Sequence, residues 1–208
     1  MTVWNAMRRF WLVACALFLG LGFSACGPSN DVPSYQQRVM QERVTRDMKM
    51  RDKNSVIPVA RRSAFRGLNY YDVDSTYRFV TELQRLSQPD TVRMAESTGT
   101  VSKQIVVGAV RLPVANGTSL TVFEVKSGSD RGQLWIPFAD ATNGEATYAA
   151  GRYVDLRELD GDSVVVDFNR AYNPTCTYNP EYACPLPPPQ NHIPEPIPAG
   201  EKTPSFAS

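Results

Sequence analysis

Between Ile136 and Leu156 the chain reads IPFADATNGEATYAAGRYVDL, which brings Asp140, Thr142, Asn143, Glu145, Thr147, Tyr148, Arg152 and Asp155 together. Read as a loop entering a strand at 147–159, this stretch puts Tyr148, Ala150 and Arg152 on one face, so that a phenol and a guanidinium point together into a cleft. The planar fork of arginine suits a carboxylate or phosphate ligand. The favoured reading is nonetheless an internal ion pair with Asp140 or Asp167 that holds the loop in place, and the ligand site is the alternative to it. Asp140, Glu145 and Asp167, with Arg152, are also the candidates for acid/base hydrolysis. In glycoside cleavage the separation of two carboxyl groups decides the mechanism, and a sequence carries no separation.

Other chemistry is thinly represented. Asp140 and Glu145 flank Thr142-Asn143-Gly144, but the spacing does not match a calcium loop, so no metal is assigned and no cofactor is expected. The one histidine, His192, excludes any motif needing two imidazoles and lies in a proline-rich stretch, where it reads as a surface or packed residue. There is no G-x-S-x-G nucleophile turn. A formal charge of +1 over 208 residues offers no electrostatic footprint for nucleic acid.

The elements that must position these groups begin after a targeting segment. Arg8 and Arg9 precede an apolar run from Phe10 to Phe23, with small residues just before Cys26. That is the order of an export signal, and the run is shorter than the roughly 20 residues a spanning helix needs. Phe23-Ser24-Ala25-Cys26 resembles the lipobox of bacterial lipoproteins, in which cleavage frees a cysteine for acylation; Phe23 departs from the usual leucine. Residues 1–25 are therefore expected to be a signal peptide, Cys26 a lipid anchor and 26–33 a tether. Gly27 favours delivery to the outer membrane where a cell has two membranes. Of the four cysteines, Cys15 leaves with the signal and Cys26 takes lipid. Cys176 and Cys184 remain, and in an oxidising compartment they read as one disulfide.

Ser34 opens a capping-box pattern with Gln37. Tyr35, Val39, Met40, Val44 and Met48 then recur near helical spacing, predicting an amphipathic helix over 35–52. From residue 77 the period changes to two: Tyr77, Phe79, Thr81 and Leu83 alternate with polar neighbours. Further strand patterns follow at 104–112, 119–126, 133–138, 147–159 and 163–168, and Asn116-Gly117 and Asp160-Gly161 carry the chemistry of two-residue hairpin turns. The expectation is a mainly β domain over 34–202, an antiparallel meander closing as a small barrel or sandwich over about 77–168. Ten of the 16 prolines lie at or beyond Pro174, interleaved with Tyr172, Tyr178, Tyr182, Leu186, Ile193 and Ile197. That mixture predicts an extended strap over 169–202, with 203–208 as a tail. Residues 38–93 hold 12 basic and 7 acidic groups and residues 94–208 hold 8 and 13, so the basic half adjoins the anchor. It reads as a solvated face or as a surface for anionic headgroups.

The stretches FRGLNYYDVDSTYRF (65–79), Ser97-Thr98-Gly99, 136–156 and DFNRAYNPTCTYNPEYACPLPPPQNHIPEPIPAGEK (167–202) resemble the domain of unknown function 1684 family. Its members are largely uncharacterised bacterial proteins, many with lipoprotein signals. The resemblance runs from about Tyr35 to Lys202; Ala149 stands where the family often has glycine and Thr177 where alanine is common. It implies no reaction. It does mark Asp140, Thr142, Thr147, Tyr148, Gly151, Arg152, Asp167, Asn169, Tyr172, Asn173, Cys176 and Cys184 as a shared signature. Of these, Asp140, Thr142, Thr147, Tyr148, Arg152, Asn169, Tyr172 and Asn173 are the candidate binding residues. The functional expectation is a lipid-anchored envelope protein that binds a small molecule, a glycan or an envelope partner without catalysis. The alternatives are a hydrolase-like enzyme built on the carboxylates and Arg152, or a purely structural envelope component.

Overall fold

A computed structural model describes residues 33–207. The expected signal peptide, Cys26 and residues 26–32 of the tether lie outside the described residues. At Ser34 the capping box forms as its sequence dictates: the Ser34 hydroxyl accepts from Gln37 N at 3.2 Å and Gln37 Oε1 accepts from Ser34 N at 2.7 Å. Helix α1, Tyr35–Arg51, follows and buries Val39, Arg43 and Met50. A short α2, Val59–Arg62, and a short strand β1, Phe65–Gly67, lead into the β domain. Among the described residues no helix is long and apolar enough to cross a membrane.

Six strands form the domain: β2 Arg78–Ala95, β3 Val101–Leu112, β4 Thr118–Glu124, β5 Leu134–Asp140, β6 Arg152–Glu158 and β7 Ser163–Asp167. Each pairs antiparallel with the next, and β7 returns to β2, with Arg78 opposite Asp167. The β4–β5 pairing of Phe123 with Trp135 and Glu124 with Leu134 completes the ring. The meander is thus a closed barrel, a form that leaves none of these six strands as a bare edge. Its interior is the period-two apolar set, with Leu83, Val110, Leu120, Val122, Ile136, Phe138, Val154, Val164 and Val166 all essentially inaccessible. The opposite faces of the same strands carry a second cluster of Met94, Phe123 and Trp135, joined by Val92, Val106, Val125 and Tyr153.

Three expectations need correction. The strand expected near 77–83 runs on to Ala95, because a register shift between Arg85 and Asp90, at Pro89, bends it without ending it. Residues 141–151 form a loop, so Tyr148 and Ala150 do not share a strand face with Arg152. The loop is held by the Asn143 side chain, which donates to Thr147 Oγ1 and Tyr148 O, and it ends on Gly151 at φ +93°. Asn116-Gly117 belongs to a five-residue connection in which Ala115, Asn116 and Gly117 all take positive φ, and Asp160-Gly161 to one closed by Leu159 N on Ser163 O; neither is a two-residue turn.

The strap crosses one end of the barrel. Strand β8, His192–Ile193, pairs parallel with Ala139 and Asp140 of β5. Asn191 stitches it down, exchanging hydrogen bonds with both backbone groups of Thr121 and donating to Pro137 O. Ile193, Ile197 and Ala199 enter the barrel's apolar cluster. Residues beyond 202 continue this path: β9, Ser205–Phe206, pairs antiparallel with β1, and Phe206 packs 5.6 Å from Phe65.

Candidate functional site

Asp140 ends β5 and Arg152 begins β6, so the hairpin brings both to the end of the barrel that the strap crosses. Arg152 follows the inward alternation of Val154 and Leu156 and is wholly buried. Its Nη2 donates to Asp140 Oδ2 at 2.8 Å and to Ile197 O at 2.9 Å, and its Nη1 to Ala199 O at 2.5 Å and Glu201 O at 3.2 Å. The other Asp140 oxygen accepts from Thr142 N, Thr142 Oγ1 and Ile197 N. Thr147 is buried against Thr142 at 2.8 Å. Here a buried charged network ties the strap to the barrel, with only Arg152 Nε left without a partner among the described residues.

Asp167 and Asn169 do comparable work one hairpin away. Asp167 accepts the Tyr35 hydroxyl at 2.9 and 3.0 Å and pairs with Arg170, which also grips Glu42 through two bonds. Asn169 exchanges hydrogen bonds with both backbone groups of Asp74, and its carbonyl accepts from Arg43. Asn173 donates to the buried Glu201, which also meets Arg46 at 3.3 Å; burial raises the Glu201 carboxyl above its usual range and Arg46 opposes that. Glu145 is exposed on the 141–151 loop. The structure therefore gathers Asp140, Thr142, Thr147 and Arg152 into one cluster and Asp167 and Asn169 into another, and leaves Glu145 apart from both.

Cys176 and Cys184, expected as a disulfide, are free and buried. They sit together: Cys176 N donates to Cys184 Sγ at 3.1 Å, and the Tyr148 hydroxyl lies 4.0 Å from Cys176 Sγ. The hydrogen bond between the thiols lowers Cys176 to about 6 and pushes Cys184 well up. Ser97, at the tip of the β2–β3 hairpin, donates from its backbone to Cys184 O and accepts from Cys184 N. Among the described residues no three histidine, cysteine or acidic side chains are placed to hold a metal ion.

Open space lies elsewhere: a groove of about 500 Å³ between α1 and residues 68–73, and a series on the outer face of the barrel. A groove of about 420 Å³ is lined by Trp135 of β5, Tyr153 of β6, Tyr172 and Pro185 of the strap, and Lys103, Gln104 and Lys126. Trp135 and Tyr153 meet edge to face at 4.9 Å, as do Tyr153 and Tyr172 at 5.9 Å. The Tyr153 hydroxyl donates to Pro185 O at 2.6 Å, and the indole N–H of Trp135, a residue 7% exposed, has no partner. Tyr172 and Val125 are shared with a second compartment of about 750 Å³ between α1 and the 125–133 loop, lined by Arg46, Lys49, Arg131, Asp155 and Arg170. Gln133, Asp155 and Arg170 lead on into a third of about 590 Å³. The three adjoin through these shared lining residues, and their run along the surface is the trough.

Tyr172 is the one expected binding residue that lines this trough. Trp135 and Tyr153 were legible only as strand residues; the available signal was that each is a large aromatic on the outward alternation of a strand whose inward positions are already apolar.

No curated protein matches the chain. An uncharacterised protein of Haloarcula marismortui, known from a solution NMR structure, is 30% identical, with a TM-score of 0.61 over 80% of this chain and 92% of its own. Residues 63–202, which include the barrel, the cysteine pair and the strap, match the family described as protein of unknown function (DUF1684), and the chain belongs to that family.

Proposed function

We propose that the protein is a non-enzymatic binding module of the bacterial cell envelope, held on a membrane through acylated Cys26, that takes a small molecule or glycan in the outer trough. The aromatic floor of Trp135, Tyr153 and Tyr172 carries this reading. Flat rings beside a polar rim, in a space of the size that small ligands occupy, are how binding grooves combine apolar contact with orientation.

Catalysis has less support. Acid/base work requires two carboxyl groups facing a shared space. Asp140 is enclosed on Arg152, Asp167 is committed to Tyr35, Asn169 and Arg170, and Glu145 stands alone. Export also places the two thiols where a thiol–disulfide oxidant can accept their two electrons as two protons leave, joining Cys176 to Cys184.

Calorimetry on the full-length acylated protein in neutral detergent, titrated with neutral and acidic trisaccharides, tests the binding reading. Binding of at least one probe, weakened about tenfold by Tyr172→Ala, is expected. Binding that Tyr172→Ala leaves unchanged, or none with any probe, overturns it. Palmitate labelling that survives Cys26→Ser overturns the anchor.

A further inference from the structure

The charges along the trough are not balanced, although the chain as a whole carries only +1. Of its carboxylates, Glu42 and Asp167 are held by Arg170 and Glu158 by Arg85, while Asp155 and Asp130 keep their charge and accept the hydroxyls of Tyr172 and Ser129, each at 2.9 Å. Lys49, Lys103, Lys126 and Arg131 line the aromatic groove and the compartment beside it, and among the described residues none has a carboxylate within ion-pair distance. Lys103 and Lys126 flank the rings, and Lys49 and Arg131 stand across the second compartment.

We propose that the trough is a site for an acidic oligosaccharide, with sugar rings against Tyr153, Tyr172 and Trp135 and carboxylate or sulfate groups met by Lys103, Lys126, Arg131 and Lys49. This deepens the binding reading and rests on it. A compact anion would use the cations and leave the rings idle; a neutral sugar would use the rings and leave four cations unanswered. The linked compartments, joined through Tyr172 and then through Asp155 and Arg170, suit a chain of rings better than a single one. The Gln104 amide and the Ser102 hydroxyl, bonded to each other at 2.8 Å on the groove wall, add partners for sugar hydroxyls.

The test uses the full-length acylated protein in neutral detergent with three probes: tri-galacturonate, the neutral trisaccharide made by reducing its carboxyl groups, and inorganic phosphate. Tri-galacturonate is expected to bind about tenfold more tightly than the neutral sugar, with an affinity that falls as salt is raised. Lys126→Gln with Arg131→Gln removes that preference and leaves the neutral sugar unaffected, whereas Tyr172→Ala weakens both. Equal affinity for the acidic and neutral sugars overturns this inference and leaves the binding reading standing. Acid binding that Tyr172→Ala does not touch, and that phosphate matches, also overturns it, because it marks exposed cations rather than a groove. Failure of both sugars to bind overturns both readings.

Discussion

Arg152 and Asp140 meet at 2.8 Å with neither side chain accessible to solvent, and Arg152 holds three carbonyls of the strap besides. Removing one member of such a pair leaves a buried charge without its counterpart, at a cost of about 3–5 kcal/mol. Arg152→Met is expected to be the most damaging single change at this end of the barrel, since it also strands the carbonyls of Ala199 and Glu201 and leaves that of Ile197 with Ala199 N alone. Asp140→Asn keeps an acceptor for Thr142 and should cost less. Urea unfolding followed by Trp135 fluorescence measures both, and an Arg152→Met protein as stable as the parent refutes the role given to the pair.

Gly200 takes φ +78°, and a Cβ there would stand 2.5 Å from Phe168 O and 2.8 Å from Ala171. Gly144 has a similar φ of +85° with open space around it. Gly144→Ala should therefore cost only the backbone term, about 1–2 kcal/mol. Gly200→Ala adds a collision with fixed backbone and should cost clearly more, seen as a larger drop in urea midpoint. Equal losses would mean that the strap shifts freely over Phe168.

Oxidation of the cysteine pair is expected to raise stability by about 2–3 kcal/mol. In the reduced protein the lowered Cys176 is a thiolate where an unfolded thiol, near 9, is not. Stability of the reduced form should therefore rise as pH climbs from about 6 to 9, then fall above 9, where the raised Cys184 holds its proton while its unfolded counterpart loses one. The oxidised form lacks both effects. Melting curves across this range, with and without reductant, separate the two, and identical pH profiles refute the assignment.

Burial is the leading cause that raises the phenols of Tyr35, Tyr70, Tyr148, Tyr153 and Tyr172, Tyr148 to about 12. Above pH 10 the folded protein keeps protons that the unfolded chain gives up, so stability falls as pH rises further. Tyrosinate absorbance should lag in the native protein and appear together with unfolding. Ionisation of these phenols near 10 without loss of structure would contradict their burial.

Period and capping were enough to read α1 and the strand order, because Ser34, Gln37 and the alternation through Leu83, Val110, Val122, Val154 and Val166 are local signals. Closure was expected, but whether as a barrel or as a sandwich was beyond them: that depends on Phe123 meeting Trp135, a pairing that only the folded ring shows. The 136–156 stretch attracted notice for its polar density, yet that density builds an internal joint. Arg152 and Asp140 are charged because the strap presents bare carbonyls and amides to the barrel end, and only the fold shows that those partners come from residues 197–201. The trough was illegible for the opposite reason, since it is assembled from a few residues each of α1, β3, β5, β6, β7, the 125–133 loop and the strap.

The plug over the barrel end also sets an order on the chain's making. Arg152 acquires three of its four partners from Ile197, Ala199 and Glu201, and Phe65 finds its β-strand neighbour only at Phe206. A chain still emerging from the ribosome has its barrel strands long before it has these residues, and so holds a buried guanidinium with almost nothing to satisfy it. Completion is deferred to the final segment, which keeps the nascent chain loose until residues 197–206 have been made.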